Sequence, residues 1–320
     1  MNTAIDMRGL RKEFIVHKKT GRLKRAKKVI PAVDGVDLTV EHGEMIGYIG
    51  PNGAGKSTTL KMLTGVLTPT SGHVRTCGLE PVPQRLRLTR RIGVVFGQRT
   101  ALWWDLPLRE SFHLLRHVFD VPAADHAARL ARCRSLLDLD AFMDTPVRQL
   151  SLGQRMRAEI TASLLHGPSV LFLDEPTIGL DVVSKQAVRE FLAELGEGGD
   201  LTLVLTTHDL SDIERLCRRL VVIDHGRVVH DGSLDELHAR YGSRRQVIAE
   251  FDDPWDDAET PPGAVAVRDA EDPRRVTFSL SNGESGAGEL VADLARRGLR
   301  DVSIVEPDIE RVIAKLYAEP

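Results

Sequence analysis

One segment of this chain has residue types and spacing suited to holding phosphate groups. Residues 50–57 read GPNGAGKS and match the pattern G-x-x-x-x-G-K-[ST]. In this pattern the glycines let backbone N–H groups surround phosphate oxygens, the lysine reaches the outer phosphates, and the hydroxyl binds magnesium. Lys56 and Ser57 are the candidates for the last two roles. The segment alone predicts only that a nucleoside triphosphate binds.

Two further segments narrow the function. Residues 150–154 read LSLGQ, and residues 170–175 form a short apolar run that ends in two acids. Together with the phosphate loop, they resemble the ATP-binding cassette (ABC) family of transport ATPases over about the first three-quarters of the chain. The resemblance implies an α/β fold of the P-loop NTPase type. It has a mostly parallel sheet, N-terminal antiparallel strands and a helical subdomain at about residues 100–165.

The resemblance also implies roles for single residues. Asp174 would organise magnesium, Glu175 would be the base acting on the attacking water, and His208 would contact the terminal phosphate. Gln98 would sense magnesium and the transmembrane partner, and Phe14 would stack on adenine, unless it is an edge or core aromatic. The catalytic set is Glu175, His208 and Lys56, and the metal set is Ser57, Gln98 and Asp174. The expected ATP contacts are Phe14, Gly50, Pro51, Asn52, Gly53, Ala54, Gly55, Lys56, Ser57, Thr58, Gln98, Ser151, Gly153, Gln154 and Asp181.

By the same resemblance, residues 150–154 would be the signature sequence and Asp181 would belong to the D-loop. Backbone N–H groups of Ser151 and Gly153, at a helix start, would bind the terminal phosphate held by another subunit. Since the chain has one phosphate loop and one signature, we expect a head-to-tail homodimer with two sandwiched ATP molecules. Leu152 departs from the commoner glycine. Gly153 keeps the second glycine, where a side chain would crowd the phosphate.

Hydrophobic patterns predict the elements that position these motifs. Residues 45–49 predict a strand before the phosphate loop, and residues 56–67 predict a helix after it. Residues 170–173 and 201–205 predict central parallel strands that deliver the two acids and His208 at their carboxyl ends. We also expect mainly helix at 106–139, a helix capped by Ser151, and a hairpin of 220–223 with 228–230.

The composition changes near Gly242. Residues 1–242 contain 33 Lys and Arg and 29 Asp and Glu, a balance of +4, whereas residues 243–320 have a balance of −7. This asymmetry predicts an ATP-binding domain at 1–242 and a small α+β accessory domain at 243–320. In the second domain, strand patterns surround Phe278 and Val302, a helix pattern surrounds Leu290, and an amphipathic helix is expected at 309–317.

The composition also indicates in which cellular compartment the protein is found. No run approaches the roughly 18 to 20 apolar residues needed to cross a bilayer, and the first residues lack a secretion signal. The three cysteines, Cys77, Cys133 and Cys217, are far apart, which suits a reducing compartment. We therefore expect a soluble, cytoplasmic chain that is peripheral on the inner face of the cell membrane.

Two features lie outside the cassette motifs. Residues 18–28 contain seven Lys and Arg and no acid. This charge can attract anionic lipid headgroups or nucleic acid, and a solvated hairpin loop is an equally good interpretation. Trp103 and Trp104 follow the Gln98 segment, where the family meets its membrane subunits. They are expected either to anchor a cytoplasmic helix of a permease or only to pack against other residues of this chain.

These features predict the ATP-binding and ATP-hydrolysing subunit of an ABC exporter that uses ATP and Mg²⁺ and acts on a separate transmembrane permease. ATP would close the dimer and hydrolysis would reopen it, which would switch the permease between inward and outward access. The alternative is a soluble ABC ATPase that acts on nucleic acid or ribosomes. The lack of a long heptad insertion and of a second cassette disfavours it. A catalytically dead regulatory cassette is disfavoured by the presence of Lys56, Asp174, Glu175 and His208.

Overall fold

A computed structural model describes residues 3–19, 25–96, 100–241, 246–256, 260–261, 264–269, 271–280 and 287–305. The chain divides into two compact units, Met1–Leu234 and Asp235–Pro320. The domain boundary near Gly242 stays a prediction. Within the described ranges, no helix is long and apolar enough to cross a lipid bilayer.

Strands and helices alternate through most of the first unit, a pattern typical of α/β folds. Its strands are β1 (Thr3–Lys19), β2 (Arg25–Glu41), β3 (Met45–Ile49), β4 (Ser71–Thr76), β5 (Ile92–Phe96), β6 (Val170–Asp174), β7 (Thr202–Thr206), β8 (Arg219–Asp224) and β9 (Arg227–Ser233). Its α-helices are α1 (Lys56–Leu63), α2 (Arg85–Leu88), α3 (Leu108–Val118), α4 (Ala123–Leu136), α5 (Leu152–Leu164), α6 (Val182–Glu197) and α7 (Leu210–Leu216). Short 3-10 helices lie at Asp140–Phe142 and Val147–Gln149.

A six-stranded sheet lies at the centre of this unit, in the order β5-β6-β7-β3-β8-β9. The first five strands in this order pair in parallel, and β9 pairs antiparallel to β8. All residues of β7 are buried and all of β6 except the last, as expected of strands covered on both faces. The predicted parallel strands and hairpin are confirmed. Because β3, β6 and β7 are parallel, their carboxyl ends meet at one edge of the sheet.

The N-terminal strands form a three-stranded antiparallel sheet in the order β2-β1-β4, as predicted. Met7 and Leu10 of β1 are buried in one hydrophobic cluster with Tyr48 of β3, Leu60 of α1 and Phe172 of β6. Each such side chain contributes about 1.5–3 kcal/mol when fully buried. This shared core fixes α1, and with it the end of the phosphate loop, against the central sheet.

The region between β5 and β6 is mainly helical. Helices α3 and α4 confirm the prediction for residues 106–139, and both contact α5. Ser151 caps α5, as predicted. Met156, Ile160 and Leu164 lie on the predicted face of α5 and are buried.

The second unit is a small α+β fold, in agreement with the sequence prediction. Helix α8 (Leu234–Tyr241) starts at the last residue of the first unit, and β10 (Gln246–Phe251), β11 (Ala264–Arg268), β12 (Arg275–Leu280), α9 (Ala287–Ala295) and β13 (Leu299–Val305) follow. The four strands form an antiparallel sheet in the order β11-β12-β10-β13. Phe278, Trp255 and Leu290 are buried in its core, whereas Ile304 is 53% exposed. The helix predicted at 309–317 lies outside the described residues.

Candidate functional site

The phosphate loop connects β3 to α1 at the carboxyl edge of the central sheet. Gly53 has φ +86° and Gly55 has φ +110°, which residues with a side chain rarely adopt. A Cβ atom at Gly55 would also lie 2.4 Å from the carbonyl oxygen of Ala32. Glycine is therefore required at position 55 by both conformation and space. The loop leads directly into the N-terminus of α1, whose free N–H groups can bind an anion.

Lys56, the first residue of α1, folds back over the loop. Its Nζ donates hydrogen bonds to the carbonyl oxygens of Gly50 and Pro51, the second at 3.2 Å. Burial lowers the pKa of Lys56, and the nearby carboxylates of Glu175 and Asp174 oppose this shift. Lys56 thus carries a partly desolvated charge, which interacts strongly with a phosphate oxygen.

Ser57 and Asp174 lie next to each other, although they come from α1 and the end of β6. Oγ of Ser57 is 3.2 Å from Oδ2 of Asp174, and Thr206 at the end of β7 donates a 2.6 Å hydrogen bond to Oδ1. Hydroxyl and carboxylate oxygens are the ligands that Mg²⁺ prefers, so the donor set of Ser57 and Asp174 fits this ion. The third predicted metal residue, Gln98, lies outside the described residues.

Glu175 follows β6 in an unusual backbone conformation. Its φ is +56°, and its N–H donates a 2.9 Å hydrogen bond to the carbonyl oxygen of Thr206. Oε2 accepts a 3.2 Å hydrogen bond from the backbone N–H of His208. Oε1 is buried and accepts no hydrogen bond in the described part of the chain, although Nε2 of His208 lies 3.1 Å away. Left-handed backbone at a residue other than glycine is often found at functional sites.

The environment of Glu175 suits a proton acceptor. Burial raises the pKa of Glu175, while the charge and N–H group of His208 and the charge of Lys56 oppose the rise. A carboxylate with a raised pKa takes up a proton more readily near neutral pH than an exposed glutamate does. With a free lone pair on Oε1, Glu175 can orient a water molecule and remove its proton.

These residues line one cavity of about 780 Å³. This volume is within the range of about 300–1,000 Å³ that is usual for small-molecule sites. The lining residues are Ala32, Pro51, Asn52, Gly53, Gly55, Lys56, Ser57, Thr58, Lys61, Val66, Phe96, Asp174, Glu175, Ile178 and His208. The predicted nucleotide contacts that do not line it are Phe14, Gly50, Ala54, Ser151, Gly153, Gln154 and Asp181.

Phe14 lies on β1, beyond the part of this strand that pairs with β4. Its side chain is 40% exposed, and Nζ of Lys12 is 5.4 Å from the ring centroid. Phe14 is therefore not a core aromatic. An edge aromatic and an adenine-stacking residue stay open as interpretations.

The start of the signature helix α5 is stabilised by a capping box. The N–H of Gln154 donates to Oγ of Ser151 at 3.2 Å, and the N–H of Ser151 donates to Oε1 of Gln154 at 2.9 Å. Since Oγ of Ser151 acts as an acceptor in the cap, the hydroxyl proton of Ser151 can still be donated to a ligand. The helix start therefore retains donors for an anion.

The structure gives a second reason for glycine at position 153, beside the expected contact with a phosphate. A Cβ atom at Gly153 would lie 2.2 Å from Oγ of Ser184 and 3.4 Å from Oδ2 of Asp181. Asp181 caps α6 by accepting hydrogen bonds from the N–H and the hydroxyl of Ser184, at 2.9 and 2.8 Å, and these bonds lower the pKa of Asp181. A side chain at Gly153 would thus crowd the start of α6 within the same chain.

Leu152, which departs from the expected glycine, has a partner in the D-loop. Its Cδ2 is 3.1 Å from the position that a Cβ atom would take at Gly179. Together with the contact of Gly153 and Ser184, this packing joins the start of α5 to the D-loop and the start of α6. Leu152 is still 40% exposed, so it also forms part of the outer surface.

Glu159 is a buried carboxyl on α5 that the sequence analysis did not identify. It accepts hydrogen bonds from the hydroxyl of Thr100 and, at 3.1 Å, from the N–H of Ala101. Burial raises the pKa of Glu159, and these hydrogen bonds oppose the rise. Its sequence signal was its position three residues after Met156, on the face predicted to be buried. Glu159 ties the signature helix to the segment that leads to Trp103.

The Glu159→Ala substitution is expected to lower the free energy of unfolding by about 1–3 kcal/mol, because the Ala101 N–H and the Thr100 hydroxyl lose their buried partner. Urea unfolding followed by circular dichroism measures this loss. The exposed Glu214 on α7 gives the control, Glu214→Ala. Equal losses in the two variants would show that the Glu159 contacts contribute nothing specific.

Comparison with known proteins identifies the family. Residues 33–178 match the family model described as ABC transporter. The ABC transporter ATP-binding protein NatA of Bacillus subtilis is 32% identical over 217 residues, which cover 68% of this chain and 88% of NatA. This chain belongs to the ABC transporter family. This chain is also similar to the Nod factor export ATP-binding protein I of Cupriavidus metallidurans. The two are 41% identical over 206 residues, which cover 64% of this chain and 67% of that protein.

Solved structures of ABC cassettes share the fold. The structure of an ATP-binding subunit of an ABC transporter has a TM-score of 0.63 and 25% identity, and the match covers 74% of this chain and 93% of that one. A dimeric ATP-binding cassette in a post-hydrolysis state, bound to ADP and Pi, has a TM-score of 0.61 and 26% identity, with 72% and 98% covered. The predicted ABC cassette fold and the assignment as an ATPase are confirmed.

Proposed function

We propose that this ABC ATPase is the ATP-hydrolysing subunit of an exporter and drives a separate transmembrane permease. The observation that carries the proposal is the grouping of Lys56, Ser57, Asp174, Glu175 and His208 around one cavity. Export is supported by two relatives. One is named for Nod factor export, and the other is the daunorubicin resistance ATP-binding protein DrrA3 of Streptomyces coeruleorubidus, 38% identical over 67% of each chain.

The geometry supports a direct attack of water on the terminal phosphate. In the proposed mechanism the loop N–H groups and Lys56 bind the outer phosphates, and His208 contacts the terminal one. Ser57 and Asp174 would hold Mg²⁺, which neutralises phosphate charge when bound. Glu175 accepts the proton of the attacking water. The water oxygen bonds to the terminal phosphorus as the bond to the ADP oxygen breaks.

A second copy of the chain would complete the site. Ser151, Gly153 and Gln154 do not line the cavity of their own chain, yet the start of α5 retains donors for a phosphate. In a head-to-tail dimer these donors would face the terminal phosphate held by the partner, with Asp181 close by. The similarity to dimeric cassettes supports this arrangement. Phe14 would stack on the adenine through its exposed ring.

The surface around Trp103 and Trp104 supports contact with a permease. Their side chains are 39% and 48% exposed, and the Arg155 guanidinium lies 5.9 Å from the Trp104 ring centroid. The N–H of Arg148 donates a 2.9 Å hydrogen bond to the carbonyl oxygen of Trp104, and Glu159 holds the preceding residues. Exposed aromatic side chains on a fixed backbone are typical of binding hot spots.

The Trp103→Ala variant is expected to lose at least about tenfold in affinity for the permease, as truncation of a hot-spot aromatic usually costs 2 kcal/mol or more. Its ATPase activity without the permease is expected to stay at the parent level, because Trp103 does not line the cavity. Co-purification from membranes and ATPase assays measure the two effects. The matched control is Leu86→Ala on α2, which removes another exposed apolar side chain. Unchanged co-purification of Trp103→Ala would contradict the assignment of this surface.

Affinity purification of the tagged full chain from native membranes tests the function as a whole. We expect the ATPase on the inner face of the cell membrane, with a polytopic membrane protein that co-purifies at stoichiometric yield. Tight, salt-dependent binding of nucleic acid without any membrane protein would instead support the rival role on nucleic acid or ribosomes. The similarity to transporter subunits favours the first result.

A further inference from the structure

The N-terminal strands extend well beyond the sheet that they build. β1 and β2 pair as far as Lys19 with Arg25, whereas β4 pairs with β1 only as far as Arg11 with Ser71. Residues 13–19 of β1 and 25–31 of β2 therefore form a two-stranded ribbon, called here the basic ribbon. Among the described residues, no third strand pairs with either edge of this ribbon.

The basic ribbon exposes apolar side chains on both faces. In its register, Ile15 lies opposite Val29, and Phe14 lies opposite Ile30. Neighbouring residues of a strand point to opposite faces, so the Ile15 and Val29 pair lies on the face away from Phe14. Ile15 is 54% exposed and Val29 is 46% exposed. The face of Ile15 and Val29 therefore plays no part in the proposed stacking of Phe14 on adenine.

Apart from Glu13 at its base, the basic ribbon contains only positively charged residues among its ionised side chains. Residues 14–33 contain no acid, and residues 18–28 contain seven Lys and Arg. Lys27 and Lys28 are exposed on β2. By the alternation of side chains along the strand, Lys27 lies on the face of Ile15 and Val29, and Lys28 lies on the face of Phe14. Asp34, the first acid after this run, is already bound by Arg11 and Arg227. A positively charged segment thus adjoins exposed aliphatic side chains.

We propose that the basic ribbon binds the surface of an anionic phospholipid bilayer. Ile15 and Val29 enter the interface, and the lysines contact the phosphate headgroups, as in other basic and apolar interfacial elements. Nucleic acid would offer the charge but no apolar layer for these aliphatic side chains. The contact requires neither a permease nor ATP hydrolysis and so goes beyond the proposed function. The lipid contact brings the cassette to the membrane before the cassette binds its permease.

Co-sedimentation of the full chain with vesicles tests this proposal. We compare neutral phosphatidylcholine vesicles with vesicles that contain about one-third phosphatidylserine, at low and physiological salt. The parent is expected to bind the anionic vesicles and to lose affinity as salt rises. Lys27→Glu with Lys28→Glu is expected to bind at least about tenfold more weakly, since each basic residue near an anionic surface is worth a severalfold change in affinity. Ile15→Ser with Val29→Ser is expected to bind more weakly at both salt concentrations.

The matched control is Arg85→Glu with Arg87→Glu on α2, which makes the same change of charge elsewhere. Basal ATPase activity is measured for every variant and is expected to stay at the parent level. A variant that loses vesicle binding but keeps this activity has lost the lipid contact alone, whereas a parent chain without ATPase activity would contradict the proposed function. Equal binding of the parent to neutral vesicles, or an equal loss in the control, overturns the proposal. Tighter binding to DNA or RNA than to anionic vesicles at the same salt concentration also overturns it.

Discussion

The Glu175→Gln variant is expected to bind ATP as tightly as the parent and to hydrolyse it about 10²–10⁴-fold more slowly, the usual contribution of a general base. The amide keeps the shape of the side chain but cannot accept a proton from water. Oε1 of Glu175 is the relevant atom, because it is buried without a hydrogen bond in the described part of the chain and lies beside Nε2 of His208. Single-turnover hydrolysis and nucleotide binding are the two measurements.

The control for this variant is Glu214→Gln on α7, an exposed glutamate away from the cavity. It is expected to turn over at the parent rate. Hydrolysis by Glu175→Gln at the parent rate would refute the role of Glu175 as the base. Loss of ATP binding would show instead that Glu175 supports the shape of the site.

The Lys56→Ala variant is expected to lose hydrolysis altogether and to bind ATP at least about thirtyfold more weakly. Lys56 is the cation of the phosphate loop, and a hydrogen-bonded contact between a partly buried charge and its partner is worth about 2–5 kcal/mol. Equilibrium binding of a fluorescent ATP analogue measures the change. Unfolding is not the expected cause, since burial lowers the pKa of Lys56 and its removal takes a desolvated charge out of the fold.

The melting temperature of Lys56→Ala checks this point and is expected to stay close to that of the parent. The second control is Lys61→Ala, which removes another lysine from the cavity wall but not from the loop motif. Its loss of affinity is expected to be smaller. Undiminished turnover of Lys56→Ala would contradict the assignment of the phosphate loop.

The features that could be predicted from the sequence are those whose structure is determined by residues within one short segment. The glycines of the phosphate loop, the apolar run of β6 and the cap at Ser151 act within a few residues. Their positions therefore follow from spacing and residue type. The two acids at the end of β6 and His208 after β7 could be placed at one edge of the sheet, because parallel strands align their carboxyl ends.

The features that could not be predicted depend on contacts between distant segments. The contact of Gly153 with Ser184 joins two helix starts, and neither segment alone indicates it. The hydrogen bonds of Glu159 likewise link α5 to residues 100 and 101, more than fifty positions earlier. A buried acid has no fixed partner in a sequence pattern. Its partner is set by tertiary packing. The same holds for Oε1 of Glu175, which accepts no hydrogen bond from the residues that the structure describes.

Sedimentation of the Glu175→Gln variant tests the central claim most directly. The claim is that each ATP is held by the phosphate loop of one copy and the signature helix of another. With saturating ATP and Mg²⁺, analytical ultracentrifugation is expected to give twice the 35.4 kDa mass of the chain, and the monomer mass without nucleotide. A protein with ATP fully bound that still sediments as a monomer, both alone and with its permease, would contradict the account.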